Sequence, residues 1–178
     1  MDRASASGAG DASSTLARGT MKREFSAGCV VYKKMPRGLF FLIGKHSGYH
    51  KWVLPKGLIE KDEHDWQAAL RETEEEMGVK ARLLSKKTIH KVQYFYMADL
   101  KNNHPSIRRV AKYQENGGRK TKVFKVVSFY LAEHVSGEPE EHGWEMEEAG
   151  WFSYNTALKK LAFPGEKEAL KKAAQMIY

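Results

Sequence analysis

Glu72, Glu75 and Glu76 stand three and four positions apart in the run Arg71-Glu72-Thr73-Glu74-Glu75-Glu76-Met77-Gly78. At about 3.6 residues per turn these three share one side of a helix, while Glu74 points elsewhere and reads as solvated. Carboxylates held that close repel unless a cation sits among them. Hard, oxygen-seeking Mg²⁺ or Mn²⁺ is the natural occupant, and Mg²⁺ commonly joins carboxylates to substrate phosphates. The helix gains nothing from the arrangement. Its C-terminal end carries partial negative charge, and like charges one turn apart cost about 0.2–0.5 kcal/mol each. On the three glutamates alone, a solvated acidic face is the better account.

The elements around them are legible. Trp66, Leu70, Thr73 and Met77 recur at helical spacing and give the apolar stripe opposite the carboxylates. Asp62 is the expected N-cap, Glu63 and Asp65 suit the first turn, and Gly78 suits the stop. Before this helix, "EFSAGCVVYKK" and "GLFFLIGKH" form a strand pair turned by "MPRG", and "KWVLPKG" is one short strand. After it, "VKARLLS", "IHKVQYFYMADL" and "KVFKVVSFYLAEH" are β-branched and aromatic strands, the last two a long hairpin. "EEAGWFSY" is a further strand, and two helices follow, one over 154–161 and one from Glu166 onward. Strands on both sides of a central helix argue mixed α/β or α+β.

Spacing decides between an acidic face and a site. Gly57 is followed by five residues, Glu63, seven residues and then Arg71-Glu72-Thr73-Glu74-Glu75-Glu76-Met77-Gly78-Val79. This resembles the Nudix hydrolase signature at every fixed position, with Thr73 where an aliphatic residue is usual. A chance match is on the order of 10⁻⁸ to 10⁻⁹ per register. The resemblance implies a Nudix-type α/β/α sandwich of the α/β class, with a mixed sheet and the metal site on the signature loop-helix. It implies Glu72, Glu75 and Glu76 as ligands of Mg²⁺ (or Mn²⁺), with the Lys56 backbone carbonyl a further ligand. Glu63 and Arg71 become an orienting ion pair, and Gly57 allows the turn of the loop. Nudix enzymes hydrolyse a nucleoside diphosphate linked to a further group. The general base is Glu72 or a late glutamate before the last strand: Glu145, six residues ahead of Trp151, with Glu141 and Glu148 as rivals.

"SAGCVVYKK", "HKWVLPKGLIE" and "DEHDWQAALRETEEE" are most similar to asymmetric diadenosine polyphosphate hydrolases, although Leu58 replaces the His or Gly more usual there. Diadenosine tetraphosphate is therefore the expected substrate. RNA 5′-end pyrophosphate removal, ADP-ribose or oxidised-nucleotide hydrolysis, and a non-catalytic RNA- or protein-binding scaffold stay open. Lys56 is a candidate to reach a phosphate, an ordinary surface lysine being the other reading. Tyr94, Tyr96, Tyr113, Phe124 and Tyr130 are candidates to stack on a base, about half of which must face the core on alternating strands.

The chain of 178 residues has a net charge of +8, and 42% of its residues are hydrophobic. Between Lys101 and Lys125 stand eight Lys/Arg against the single acid Glu115. This basic arm (101–122, with Arg108, Arg109, Lys112, Arg119, Lys120 and Lys122) suits the distal phosphates of a nucleotide polyphosphate, or RNA. Residues 1–22 are small and polar and read as a disordered leader, with the catalytic domain over 23–178. No apolar run approaches the roughly 18 residues of a membrane span. Cys29 alone forms no intramolecular disulfide, and a cytoplasmic location fits.

Overall fold

The computed structural model describes residues 22–98 and 121–177. Its centre is β1 (Lys22–Met35) lying parallel to β7 (Thr121–Ser136), with Lys22 opposite Val123 and Tyr32 opposite Glu133. Both strands carry Val, Phe and Tyr through their length, the composition of strands buried on two faces. On one side β1 pairs antiparallel with β2 (Gly38–His46) through the turn at Pro36 and Arg37. β2 in turn holds β3 (Trp52–Val53) and β8 (Met146–Ser153). On the other side β7 carries β5 (Lys80–Leu83) and β6 (His90–Ala98), the latter as the expected hairpin partner. β4 (Lys56–Leu58) pairs with β1 across Ser26, Ala27 and Gly28.

One face of the sheet is covered by α1 (Asp65–Met77), the other by α2 (Tyr154–Lys160) and α3 (Pro164–Ile177). Alternation along the strands divides the core accordingly. Ala27, Cys29, Val31 and Tyr130 pack towards α1, while Val30, Phe129, Leu131 and Ile43 pack with Leu170 and Ala173 of α3. This is the expected α/β/α sandwich around a mixed sheet.

Three expectations shift. "KWVLPKG" contains two strands, because Leu54 and Pro55 leave the sheet edge between β3 and β4. Tyr130 is no platform for a base: it is buried at 1% exposure beneath α1, its hydroxyl 3.3 Å from Thr88 Oγ1. Lys22, assigned to the leader, opens β1; the rest of the leader lies outside the described residues. So do Tyr113, Arg119 and the basic arm up to residue 120.

Candidate active site

α1 and the loop before it are built by local hydrogen bonding. The N-cap is His64, not Asp62. The His64 N–H donates to Gln67 Oε1 at 3.0 Å, while Asp62 sits in the loop at φ 65°. The helix stops where expected, at Gly78 with φ 68°, whose N–H donates to Glu74 O at 2.9 Å. Thr73, the residue that departs from the signature, is fully buried. Its hydroxyl donates to Ala69 O at 2.7 Å, so the polar atom is satisfied inside the helix.

The stripe on α1 packs as expected, but the carboxylate side is not simply solvated. Glu72 and Glu76 are buried, and only Glu75 stays largely open. Gly57 explains how. A Cβ at position 57 would lie 2.0 Å from Glu72 Cδ, so a bare backbone lets β4 close over that carboxylate. The glycine is thus required by close approach rather than by a positive φ.

Arg71 gathers the acids of the loop and helix. Its Nε and Nη2 donate to the two Glu63 carboxylate oxygens at 2.9 Å each, and Nη2 also donates to Leu58 O at 3.0 Å. Nη1 reaches Glu72 Oε1 at 2.7 Å and Glu75 Oε2 at 3.2 Å. The guanidinium hydrogen bonds hold the Glu63 carboxyl below the usual range. On the far side of β4, the Lys56 N–H donates to Glu76 Oε2 at 2.9 Å. Burial pushes the Glu76 carboxyl up to about 8, against the pull of Lys56 and with the push of Glu72 and Glu145.

Lys56 does not lie on the surface. Its Nζ pairs with Glu166 Oε1 at 3.1 Å, and Glu166 Oε2 accepts from Leu54 N at 2.9 Å. Burial lowers the lysine's proton affinity, yet Glu166, Tyr49 and Glu76 together hold it well above the ordinary range. Lys125 on β7 is the other cation of this cleft. Burial and the charge of Lys56 lower its proton affinity, opposed by Glu24, Glu76 and Glu72. Tyr94 and Tyr96 share that face of β6 with ring centroids 6.3 Å apart, and the Tyr96 hydroxyl meets Glu24 Oε2 at 2.5 Å.

The loop before β8 closes the cleft. Gly143 N donates to Glu76 O at 3.1 Å, and the Glu145 carbonyl accepts from Ser47 N at 2.8 Å and Ser47 Oγ at 3.0 Å. The Glu145 carboxylate acts on both Glu76 and His46. Of the rivals, the Glu141 backbone packs against Gly78 and Glu148 lies beside Lys45. Lys122 does not join the cleft, because strand alternation turns it to the opposite face from Lys125, where its Nζ lies 4.3 Å over the Phe95 ring. Glu166, Lys125 and Tyr49 were not singled out in the sequence. Only their types hinted at a role, since their partners lie far along the chain.

Among the described residues, no three His, Cys, Asp or Glu side chains are gathered into a metal cage. Glu72 and Glu75 share the Arg71 guanidinium instead, a protein cation standing between two carboxylates. The donor set itself fits a hard divalent ion: oxygen ligands from one helix, two of them buried.

A family model described as NUDIX domain matches residues 22–173. A Mycobacterium tuberculosis protein named "Putative mutator protein MutT4" is 28% identical over 138 residues, which cover 76% of this chain and 47% of that one. The asymmetrical bis(5'-nucleosyl)-tetraphosphatase of Caenorhabditis elegans is 41% identical over 66 residues, 36% of this chain and 46% of that one. The chain thus spans less than half the length of these curated relatives. Among solved structures, a C. elegans Ap4A hydrolase binary complex superposes with a TM-score of 0.62 at 23% identity, covering 86% of this chain and 97% of that one.

Proposed function

The chain belongs to the Nudix family, and on that premise we propose that it is a divalent-metal-dependent pyrophosphohydrolase. It cleaves a phosphoanhydride bond of nucleoside diphosphate derivatives, with diadenosine tetraphosphate as its preferred substrate. The observation that carries the reading is one cleft that sets the buried carboxylates Glu72 and Glu76 against the cations Lys56 and Lys125. Carboxylates there suit a metal, and the lysines suit a chain of phosphates. The choice of dinucleotide leans on the similarity to the asymmetrical tetraphosphatase.

Glu72, Glu75 and Glu76 would hold Mg²⁺ or Mn²⁺, an ion that when bound would supply charge neutralisation on the phosphates and a more nucleophilic water. Arg71 keeps Glu63 and the Gly57–Glu63 loop against α1, and its Nη1 holds Glu72 and Glu75 beside each other. Lys56, fixed by Glu166, and Lys125 offset charge along the polyphosphate and restrict it to one path. Tyr94 and Tyr96 give a surface for a base. Glu145, anchored by Ser47, takes the proton from the attacking water, with Glu72 as the other candidate base.

A substrate panel with Mg²⁺ tests the reading: diadenosine tetraphosphate, ADP-ribose, 8-oxo-dGTP and 5′-triphosphorylated RNA, with products identified. ATP plus AMP from the first is expected. Hydrolysis no faster than by Glu75→Gln or Glu76→Gln variants would sink the enzyme. Preference for the RNA would move the function to 5′-end processing.

A further inference from the structure

The sheet face that α1 covers is left open at one end. β1, β7 and β6 run side by side there, with Phe95 opposite Phe124 and Phe25 opposite Val126. The register puts Phe25, Phe124 and Phe95 on the same face, one from each strand. Phe25 is 53% and Phe95 51% exposed, so about half of each ring meets solvent. Phe95 and Phe124 tilt towards each other with centroids 5.1 Å apart.

Three cations frame the rings. Arg23 lies opposite Phe124, Lys91 opposite Ser128, and Lys122 sits over Phe95; all three side chains are exposed. None of the side chains that these strands present on this face is acidic.

We infer that this open face, apart from the cleft, is a binding platform for a single-stranded polynucleotide. Every base has a π-face for an exposed ring, and the phosphates between bases need cations at intervals. A second copy of the chain is a poorer occupant, because the same cations would meet across a twofold axis. A duplex fits badly too, since its bases are already stacked on each other.

The experiment is fluorescence anisotropy with the full chain and short 5′-hydroxyl oligonucleotides: labelled oligouridine, oligothymidine and a mixed-sequence duplex. A 5′-hydroxyl strand offers the cleft no polyphosphate, and EDTA in the buffer removes hydrolysis. Binding of either single strand above the duplex is expected, and the RNA-to-DNA ratio identifies the source. Affinity should fall between about 50 and 200 mM salt. Phe25→Leu and Phe95→Leu should each weaken it by roughly fivefold or more, whereas Phe95→Tyr should keep it within about twofold. Both leucine variants should hydrolyse dinucleotide at the native rate, which shows that they fold and separates this platform from the active site. No single-strand binding at low salt, equal affinity for duplex, or affinity unchanged in the leucine variants would each overturn the inference. So would a native dimer that the leucine variants dissociate.

Discussion

Two buried carboxylates approach Lys56 from different helices. Glu166 stands in the first turn of α3, where the helix dipole favours an anion, and takes both the Lys56 ammonium and the Leu54 N–H. Glu76 stands in the last turn of α1, where the dipole is hostile, and among the described residues takes the Lys56 backbone N–H in return. At equal burial, one carboxylate pairs directly with the Lys56 ammonium, while the other has the Lys56 backbone N–H and only the more distant pull of its charge. The first holds the cleft in shape. The second is left with bonding capacity that a ligand can use.

This contrast is open to direct attack. The largest effect should come from Glu166→Gln, which keeps an acceptor for Leu54 N–H but strands the Lys56 charge. Unfolding free energy should fall by about 3–5 kcal/mol, read from urea midpoints, and the Lys56→Met/Glu166→Gln double variant should recover a large part of it. An unchanged midpoint in the single variant would erase the distinction drawn between the helices. Glu76→Gln should do the reverse. Metal-dependent hydrolysis drops by more than about 10²-fold, while stability moves by less than about 1 kcal/mol because the amide oxygen still accepts from Lys56 N.

Gly57→Ala sharpens the α1 side further. The added methyl enters the space of the Glu72 carboxylate, costing about 1–3 kcal/mol and displacing that side chain; native stability with full activity would show that the close approach is not needed. The smallest effect concerns acid. Arg71 holds the Glu63 carboxyl below its ordinary 4.5, so its contribution is present above that pH and lost as pH falls through the depressed value. Glu63→Gln should therefore cost about 1 kcal/mol at pH 7 and progressively less as the pH falls through the depressed value, in parallel urea titrations.

Much of this was legible in the sequence for identifiable reasons. Strand composition located β6, β7 and β8, and helical spacing located α1, because those signals are local. The interval from Gly57 to Glu76 gave the acidic constellation, since loop and helix carry it within one continuous stretch. The N-cap was misplaced because Asp62 and His64 both fit a loop end, and the left-handed turn at Asp62 is not written in its type. Lys56 and Glu166 lie 110 positions apart, and nothing in either segment announces the pair. Tyr130 and Tyr94 are alike as residues on strands. Which of them meets solvent depends on which face α1 covers, a fact of the whole sheet.

The parallel pairing of β1 with β7 has a consequence for how the chain is made. Lys22 meets Val123 and Tyr32 meets Glu133, so the sheet's central seam joins segments separated by about 100 residues, a costly closure that slows folding. On a ribosome adding about 5–20 residues per second, β1 and β2 emerge several seconds before β7 exists to shield them. During that interval Val30, Val31 and Phe41 are exposed beside an unpaired strand edge. The yield of this protein should therefore depend on chaperone supply and on the rate of translation between β2 and β7.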